Sequence, residues 1–246
     1  RDGSRRAIRL MIETFAALFL AHVLADFVFQ TRRMVVLKNH PSVLLLHGGT
    51  VLLLMFLTLG RVDTPALYVI AASHLAIDAA KLRLPHGPGA FLTDQAAHLL
   101  ILAAASLGQP GLWQGGFWAG LPFPATELPA LMLVIGGAIF AIRGGDFATG
   151  LIVTSVAPRN PLQEEGLPGA GRMIGLLERG LAFTFILVGQ LEAVGFLLAA
   201  KSILRFGAIR EDRAASEYVL IGTLASFTWA ILTAFAIRAL LSVLTS

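Results

Sequence analysis

The strongest constraint on this chain is a succession of long apolar runs that fills it from end to end. They lie at about Met11–Gln30, Val43–Gly60, Pro65–Leu84, Phe91–Leu107, Leu128–Val156, Met173–Gly189, Leu191–Phe206 and Glu217–Leu241. A run of about 20 apolar residues spans a bilayer as a helix, because every backbone N–H and C=O must be satisfied internally in hydrocarbon. The expected fold is therefore an all-α, polytopic transmembrane bundle of seven to eight spans. Composition agrees: 56% of the 246 residues are hydrophobic and 14% charged, with a mean hydropathy of +0.77. Soluble domains carry about 25% charge. There is too little polar surface here to coat a soluble enzyme, a disordered chain or a nucleic-acid-binding module.

The net charge of +4 does not imply nucleic acid as a partner, because the basic residues are scattered at the edges of apolar runs. The chain has no cysteine, so disulfides, thiolate metal sites and cysteine nucleophiles are excluded. The basic start (Arg1, Arg5, Arg6, Arg9) followed by an apolar run resembles a signal peptide. His22 and Asp26 inside that run, and the lack of a small-x-small cleavage site, favour a membrane span. Loop 109–127 has neither Lys nor Arg and reads as interfacial, with Trp113 and Trp118 in an aromatic belt. Arg32, Arg33, Lys38, Lys81 and Arg83 place the first and third internal turns on the cytoplasmic side; the four N-terminal arginines argue the opposite. Span five, with Gly144-Gly145-Asp146, is expected to be long, broken or partly re-entrant. A Pro/Gly-rich linker at 157–171 divides an N-terminal membrane half (1–156) from a C-terminal half (172–246).

Ionisable groups inside spans are costly and mark function. Here they recur as pairs: His22-x3-Asp26, His74-x3-Asp78 and Asp94-x3-His98. Residues four apart share a helix face, and random placement of the 6 His and 7 Asp would give only about 0.3 such pairs. These pairs and His47 fall in the halves of spans one to four that alternating topology brings to one membrane face. His22, Asp26, His47, His74, Asp78, Asp94 and His98 thus form a candidate ligand set for one or two Zn²⁺, Mn²⁺ or Fe²⁺ ions. A bound ion would lower the pKa of water and supply a nucleophile at neutral pH. Lys81 is placed to neutralise a phosphate or carboxylate, and Gln30 and Gln95 to orient ligands. Each pair taken alone reads first as a His–Asp hydrogen bond tying helices together; the set of pairs at one depth points to metal.

The second half has its own polar set. Glu178, Lys201, Arg205 and Glu217 fall at one membrane face if spans six and seven are separate. Lys201 and Arg205, four apart, are candidates to grip an anionic head group, or are ordinary topology residues paired with Glu217. Gly169-Ala170-Gly171-Arg172 reads as a helix start and only weakly as an anion nest.

These stretches resemble a bacterial family of polytopic membrane proteins, domain-of-unknown-function family 3307. The resemblance lies in His22-Val23-Leu24-Ala25-Asp26-Phe27-Val28-Phe29-Gln30, His47, His74-x3-Asp78-x2-Lys81 and Asp94-Gln95-x2-His98. It continues in Gly171-Arg172-x-Ile174-Gly175-x2-Glu178-Arg179, Ala199-Ala200-Lys201-Ser202-x2-Arg205-Phe206 and Glu217-Tyr218-x3-Gly222-Thr223. It implies a bacterial inner-membrane protein in which both polar sets belong to one design, and no particular activity. A looser similarity joins it to inner-membrane metal-dependent hydrolases, although the chain has no HExxH zincin motif.

Three functions compete at this point. The first is a metal-dependent hydrolase of a lipid or other amphipathic anionic substrate, with membrane lipid and a small anionic or lipid-linked molecule as partners. The second is a metal-ion or proton-coupled transporter or channel. The third is a membrane scaffold or sensor; a homodimer is a further possible partner.

Overall fold

Three helices open on proline, the residue whose fixed φ and missing N–H suit a first turn: α3 (Pro41–Leu59), α4 (Pro65–Lys81) and α5 (Pro88–Gly108). They follow α1 (Asp2–Leu24), which continues into a π-helical turn, Ala25–Phe29, and the short α2 (Arg32–Val36). Beyond lie α6 (Leu128–Ile139), a second π-turn (Phe140–Gly144), α7 (Gly145–Ser155), α8 (Ala170–Leu187), α9 (Leu191–Phe206) and α10 (Arg213–Thr245). This computed structural model describes residues 2–121, 127–157, 167, 169–206 and 213–245, excepting the side chains of 2, 204–206 and 213–215. All described regular structure is helical. Most of the 157–171 linker lies outside the described residues.

The apolar runs read from the sequence are helical, and among the described residues five helices are long and apolar enough to cross a membrane: Gly3–Phe29, Pro41–Leu59, Pro88–Gly108, Leu128–Ser155 and Ser216–Thr245. The helices of the other three expected spans are shorter or carry more charge. α4 has 17 residues and α9 has 16, at the lower edge of the roughly 17–25 residues of a spanning helix. α8 has 18 residues but carries Arg172, Glu178 and Arg179. Large apolar side chains turned outward, such as Leu45, Val69, Leu100 and Phe196, are what an integral membrane protein presents to lipid.

The chain forms two compact units, Arg1–Ile139 with Ala239–Ser246, and Phe140–Arg238. In the first, α1 is the central helix. It packs against α3, α5 and α6, while α4 joins α3 to α5. Its core face, from Ala16 to Ala21 with Val23 and Ala25, is almost wholly buried.

Loop 109–121 is tied to this bundle by specific bonds. The buried Thr14 hydroxyl donates to the Pro110 carbonyl at 2.7 Å and accepts from the Trp113 N–H at 3.2 Å. Trp113 is consequently only 2% exposed and does not form an aromatic belt. Trp118 is half-buried and donates its indole N–H to Leu57 O at 2.7 Å. Gly60 ends α3 at φ 68°, and a Cβ there would lie 2.6 Å from Trp118 Cδ1, so a side chain is excluded on both counts. In the turn that follows, Arg61 grips Asp63 with two N–H donors and holds its carboxyl below the usual range.

In the second unit Gly144-Gly145 does not break the helix. Leu128–Ser155 is continuous, with the π-turn of Phe140–Gly144 inside it. Glycine is needed at 145 for close approach: a Cβ would meet Arg179 Cδ at 2.6 Å and Trp229 Cδ1 at 2.8 Å. Carbonyls loosened by the π-turn take new donors. Trp229 Nε1 donates to Phe140 O at 2.8 Å, and Arg179 Nε donates to Ile142 O at 3.1 Å.

Candidate metal centre

Four helices of the first unit bring the seven expected residues together. α1 and its π-turn supply His22 and Asp26, α3 supplies His47, α4 supplies His74 and Asp78, and α5 supplies Asp94 and His98. All are buried except Asp26, which is slightly more exposed. The i, i+4 spacing turns each pair inward. Asp26 is inside the π-turn, which Gln30 N–H closes on Ala25 O at 2.9 Å; such turns recur at functional sites. The His74 ring lies centrally, with centroids 4.1 Å from His98, 5.2 Å from His47 and 5.5 Å from His22.

The shortest contacts have the dimensions of a coordination shell. His47 Nε2 and His74 Nε2 are 3.1 Å apart, and each lies 3.3 Å from Asp26 Oδ1. Asp78 Oδ2 is 3.3 Å from His47 Nε2 and 3.7 Å from His74 Nε2. A tetrahedral ion with bonds of about 2.0–2.1 Å sets its ligand atoms about 3.3–3.4 Å apart. A further group, Asp78, Asp94 and His98, has ligand atoms within 4.8 Å of one another, as has His22, Asp26 and His74. His47, His74 and Asp78 form such a group too, and the nitrogen and oxygen donors of these three groups suit Zn²⁺, Mn²⁺ or Fe²⁺.

The outer contacts show which atoms are left over. Asp78 Oδ1 accepts from Lys38 Nζ at 2.6 Å, while Asp78 Oδ2 is buried without a hydrogen-bond partner. Asp94 Oδ2 accepts from Lys81 Nζ at 2.7 Å and from Gln95 Nε2 at 3.1 Å, while its Oδ1 is unpartnered. Asp26 Oδ2 takes a long bond from Gln95 Nε2 at 3.5 Å, and its Oδ1 is unpartnered. Each carboxylate is thus held by one oxygen and leaves the other orphaned.

The histidines follow the same logic. His98 Nδ1 must donate to the Asp94 carbonyl at 2.9 Å, since a carbonyl only accepts, so the lone pair of the neutral ring is on Nε2, which is buried and unpartnered. Gln95 directs its NH2 at two carboxylates, so its Oε1 faces His22 Nε2 at 3.4 Å and accepts from it. That leaves the lone pair on His22 Nδ1, also unpartnered. His47 is the exception, with Nδ1 buried and nothing bonded to it on the outer side.

Gln95 therefore organises His22, Asp26 and Asp94, and Lys81 joins the cluster through Asp94. Gln30 behaves differently: its Nε2 is buried and bonded to nothing. Lys38 is the residue the sequence reading missed. It is only 10% exposed at the side chain and belongs to the cluster through Asp78. Nothing in its spacing marks it, because it sits between helices and reads as one of three loop charges.

The expected anion-gripping residues belong to the second unit. Glu178 and Lys201 form an ion pair, with Lys201 also 5.7 Å from the Phe227 ring centroid. Arg205's side chain lies outside the described residues, and Glu217 is exposed. The neighbouring Arg179, unremarked as a site residue in the sequence, is buried and bonds Ser226 at 2.9 Å and Asp146 at 3.4 Å.

Residues 14–114 match the family model of a protein of unknown function, DUF3307. The matched stretch contains the whole cluster, Lys38, Lys81 and Gln95 included, and bears out the resemblance to that family over these residues. The C-terminal stretches of the resemblance lie beyond it. No curated protein and no solved structure matches the chain.

Proposed function

We propose that the His/Asp cluster holds one or two divalent metal ions, and that the protein is a membrane-embedded metal-dependent hydrolase of a lipid or other amphipathic anionic substrate. One observation carries the metal reading. Asp26, Asp78 and Asp94 each leave one buried oxygen unpartnered, beside imidazole nitrogens spaced as ligands are. A network that only tied helices together would satisfy those atoms, because each unpaired buried polar group costs about 1–3 kcal/mol and a charged one more. A divalent cation removes that cost.

When bound, such an ion supplies Lewis acidity and lowers the pKa of water. The residues of the chain do the rest. His47, His74, Asp26 and Asp78 are the proposed inner ligands, with Asp94, His98 and His22 completing the set. Gln95 fixes the orientation of three of these side chains. Lys81, with 35% of its side chain exposed, is the cluster's polar contact with the outside and faces an incoming anionic group. The Glu178–Lys201 pair is already charge-compensated within its own unit, which supports a structural role for it.

The test is a comparison of two assays on purified, metal-loaded protein. Hydrolysis of added lipid esters or phosphoesters, lost in His74→Ala and Asp94→Ala, supports the enzyme. Metal-stimulated uptake into proteoliposomes, with no hydrolysis, contradicts it and favours a transporter.

A further inference from the structure

We infer that the cluster, once loaded with metal, binds a phosphate monoester group, with Lys81 and Gln30 as its contacts from the chain. The inference rests on the metal reading and specifies its substrate class.

Charge gives the first argument. Asp26, Asp78 and Asp94 face two ammonium groups, Lys38 and Lys81, so with neutral imidazoles the cluster carries one net negative charge. In that state it repels anions. One divalent ion turns the balance to one net positive charge, and two ions turn it to three. The site is largely buried, where charge is poorly screened, so this inversion acts strongly on a ligand. A phosphate monoester carries about −1.5 to −2 charge at neutral pH and three acceptor oxygens. It matches such a site better than a carboxylate or phosphodiester, each with a single charge.

Unused donors give the second. Gln30 Nε2 is a buried amide donor with no acceptor, one turn beyond Asp26. Lys81 donates to Asp94 Oδ2, an oxygen that Gln95 also serves, so Asp94 stays bonded if the ammonium turns to another acceptor. The turn that carries Asp26 and ends at Gln30 lies beside the ring over which Lys81 sits. Lys81 Nζ is 5.7 Å from the Phe91 ring centroid, and Phe27, three residues before Gln30, packs on the same ring at 6.4 Å. An oxyanion with three acceptor oxygens can serve both donors and match the ammonium's charge; a neutral ester leaves that charge unmatched.

The test uses the full chain in detergent, stripped with chelator and reloaded with Mn²⁺, whose content is measured first. Binding of inorganic phosphate is followed by calorimetry and by paramagnetic broadening of its ³¹P resonance. The expected results are broadening by loaded protein and at least tenfold weaker phosphate binding after stripping. Lys81→Met should weaken binding about tenfold at unchanged Mn²⁺ stoichiometry, with partial recovery in Lys81→Arg. Phosphatidic acid in phosphatidylcholine nanodiscs, run in parallel, identifies the source. Tighter binding than phosphate assigns a lipid head group, and equal binding assigns a soluble monoester; either supports the proposal. Loaded protein that binds phosphate no better than stripped protein, or a Lys81→Met variant with wild-type affinity, overturns it and leaves the metal reading standing. Protein that takes up no Mn²⁺ overturns the metal reading itself.

Discussion

Lys38 offers the sharpest probe of the cluster, because the structure gives it one partner and almost no solvent. Replacing it with methionine keeps the length of the side chain and removes only the ammonium. In metal-free protein this strands Asp78 Oδ1 in a site where Asp78 is 1% exposed and its other oxygen is already unpartnered. Breaking a buried ion pair from one side costs about 3–5 kcal/mol. For a chain of this size about 2–4 °C of Tm is lost per kcal/mol, so the metal-free variant should melt roughly 6–20 °C below wild type. A metal ion on Asp78 supplies the missing positive charge. The deficit should then shrink to about 1 kcal/mol, that of one hydrogen bond, or a few degrees. Linkage makes the relieved 2–4 kcal/mol reappear as metal affinity roughly 30- to 1000-fold tighter than that of wild type, since 1.4 kcal/mol is about a factor of ten. Thermal unfolding by intrinsic fluorescence, with and without saturating Zn²⁺, reads both effects, and Lys38→Arg should restore the wild-type pattern. An equal loss of Tm in the two conditions would refute the reasoning, because Lys38 would then be a structural staple indifferent to metal.

Three further predictions follow from separate contacts. Gln95→Leu removes the amide that orients His22, Asp26 and Asp94, and metal affinity should fall about 10- to 100-fold in a competition titration while helical circular dichroism is retained. Metal should be released in strong acid, because imidazoles and carboxylates must be unprotonated to ligate; metal content undiminished at about pH 2 would exclude ligation by these groups. Thr14→Val leaves Pro110 O without its donor and the Trp113 N–H without its acceptor, which should lower stability by about 1–3 kcal/mol per stranded group with no change in metal stoichiometry.

The membrane character and the cluster were legible for the same physical reason. Lipid tolerates few ionisable groups, so those that remain stand out, and helical period and depth predict which of them meet. His47, alone on its helix, was found by depth and not by pairing. Features that depend on a long-range partner were not legible. Lys38 is buried only because α4 brings Asp78 to it, and no local pattern encodes that. Trp113 has the composition of a belt residue, but Thr14, 99 positions away, draws it into the core. Gly145 has the local signature of a helix break, yet its missing side chain makes room for Arg179 and Trp229 while the helix continues. The number of spans is less legible where length is marginal: α4 and α9, with 17 and 16 residues, lie at the lower edge of the roughly 17–25 residues that a crossing takes.

Metal binding by the orphaned oxygens and imidazole nitrogens of the first unit underlies every proposal made for this protein. Purification in mild detergent without chelators, followed by elemental mass spectrometry and X-ray absorption at the edge of the metal found, tests it directly. The expected result is one or two equivalents of Zn, Mn or Fe, with nitrogen and oxygen ligands at about 2.0–2.2 Å and no sulfur, falling sharply in His74→Ala and Asp94→Ala. Wild-type protein that stays metal-free after incubation with these ions, or metal retained undiminished in both variants, would contradict it.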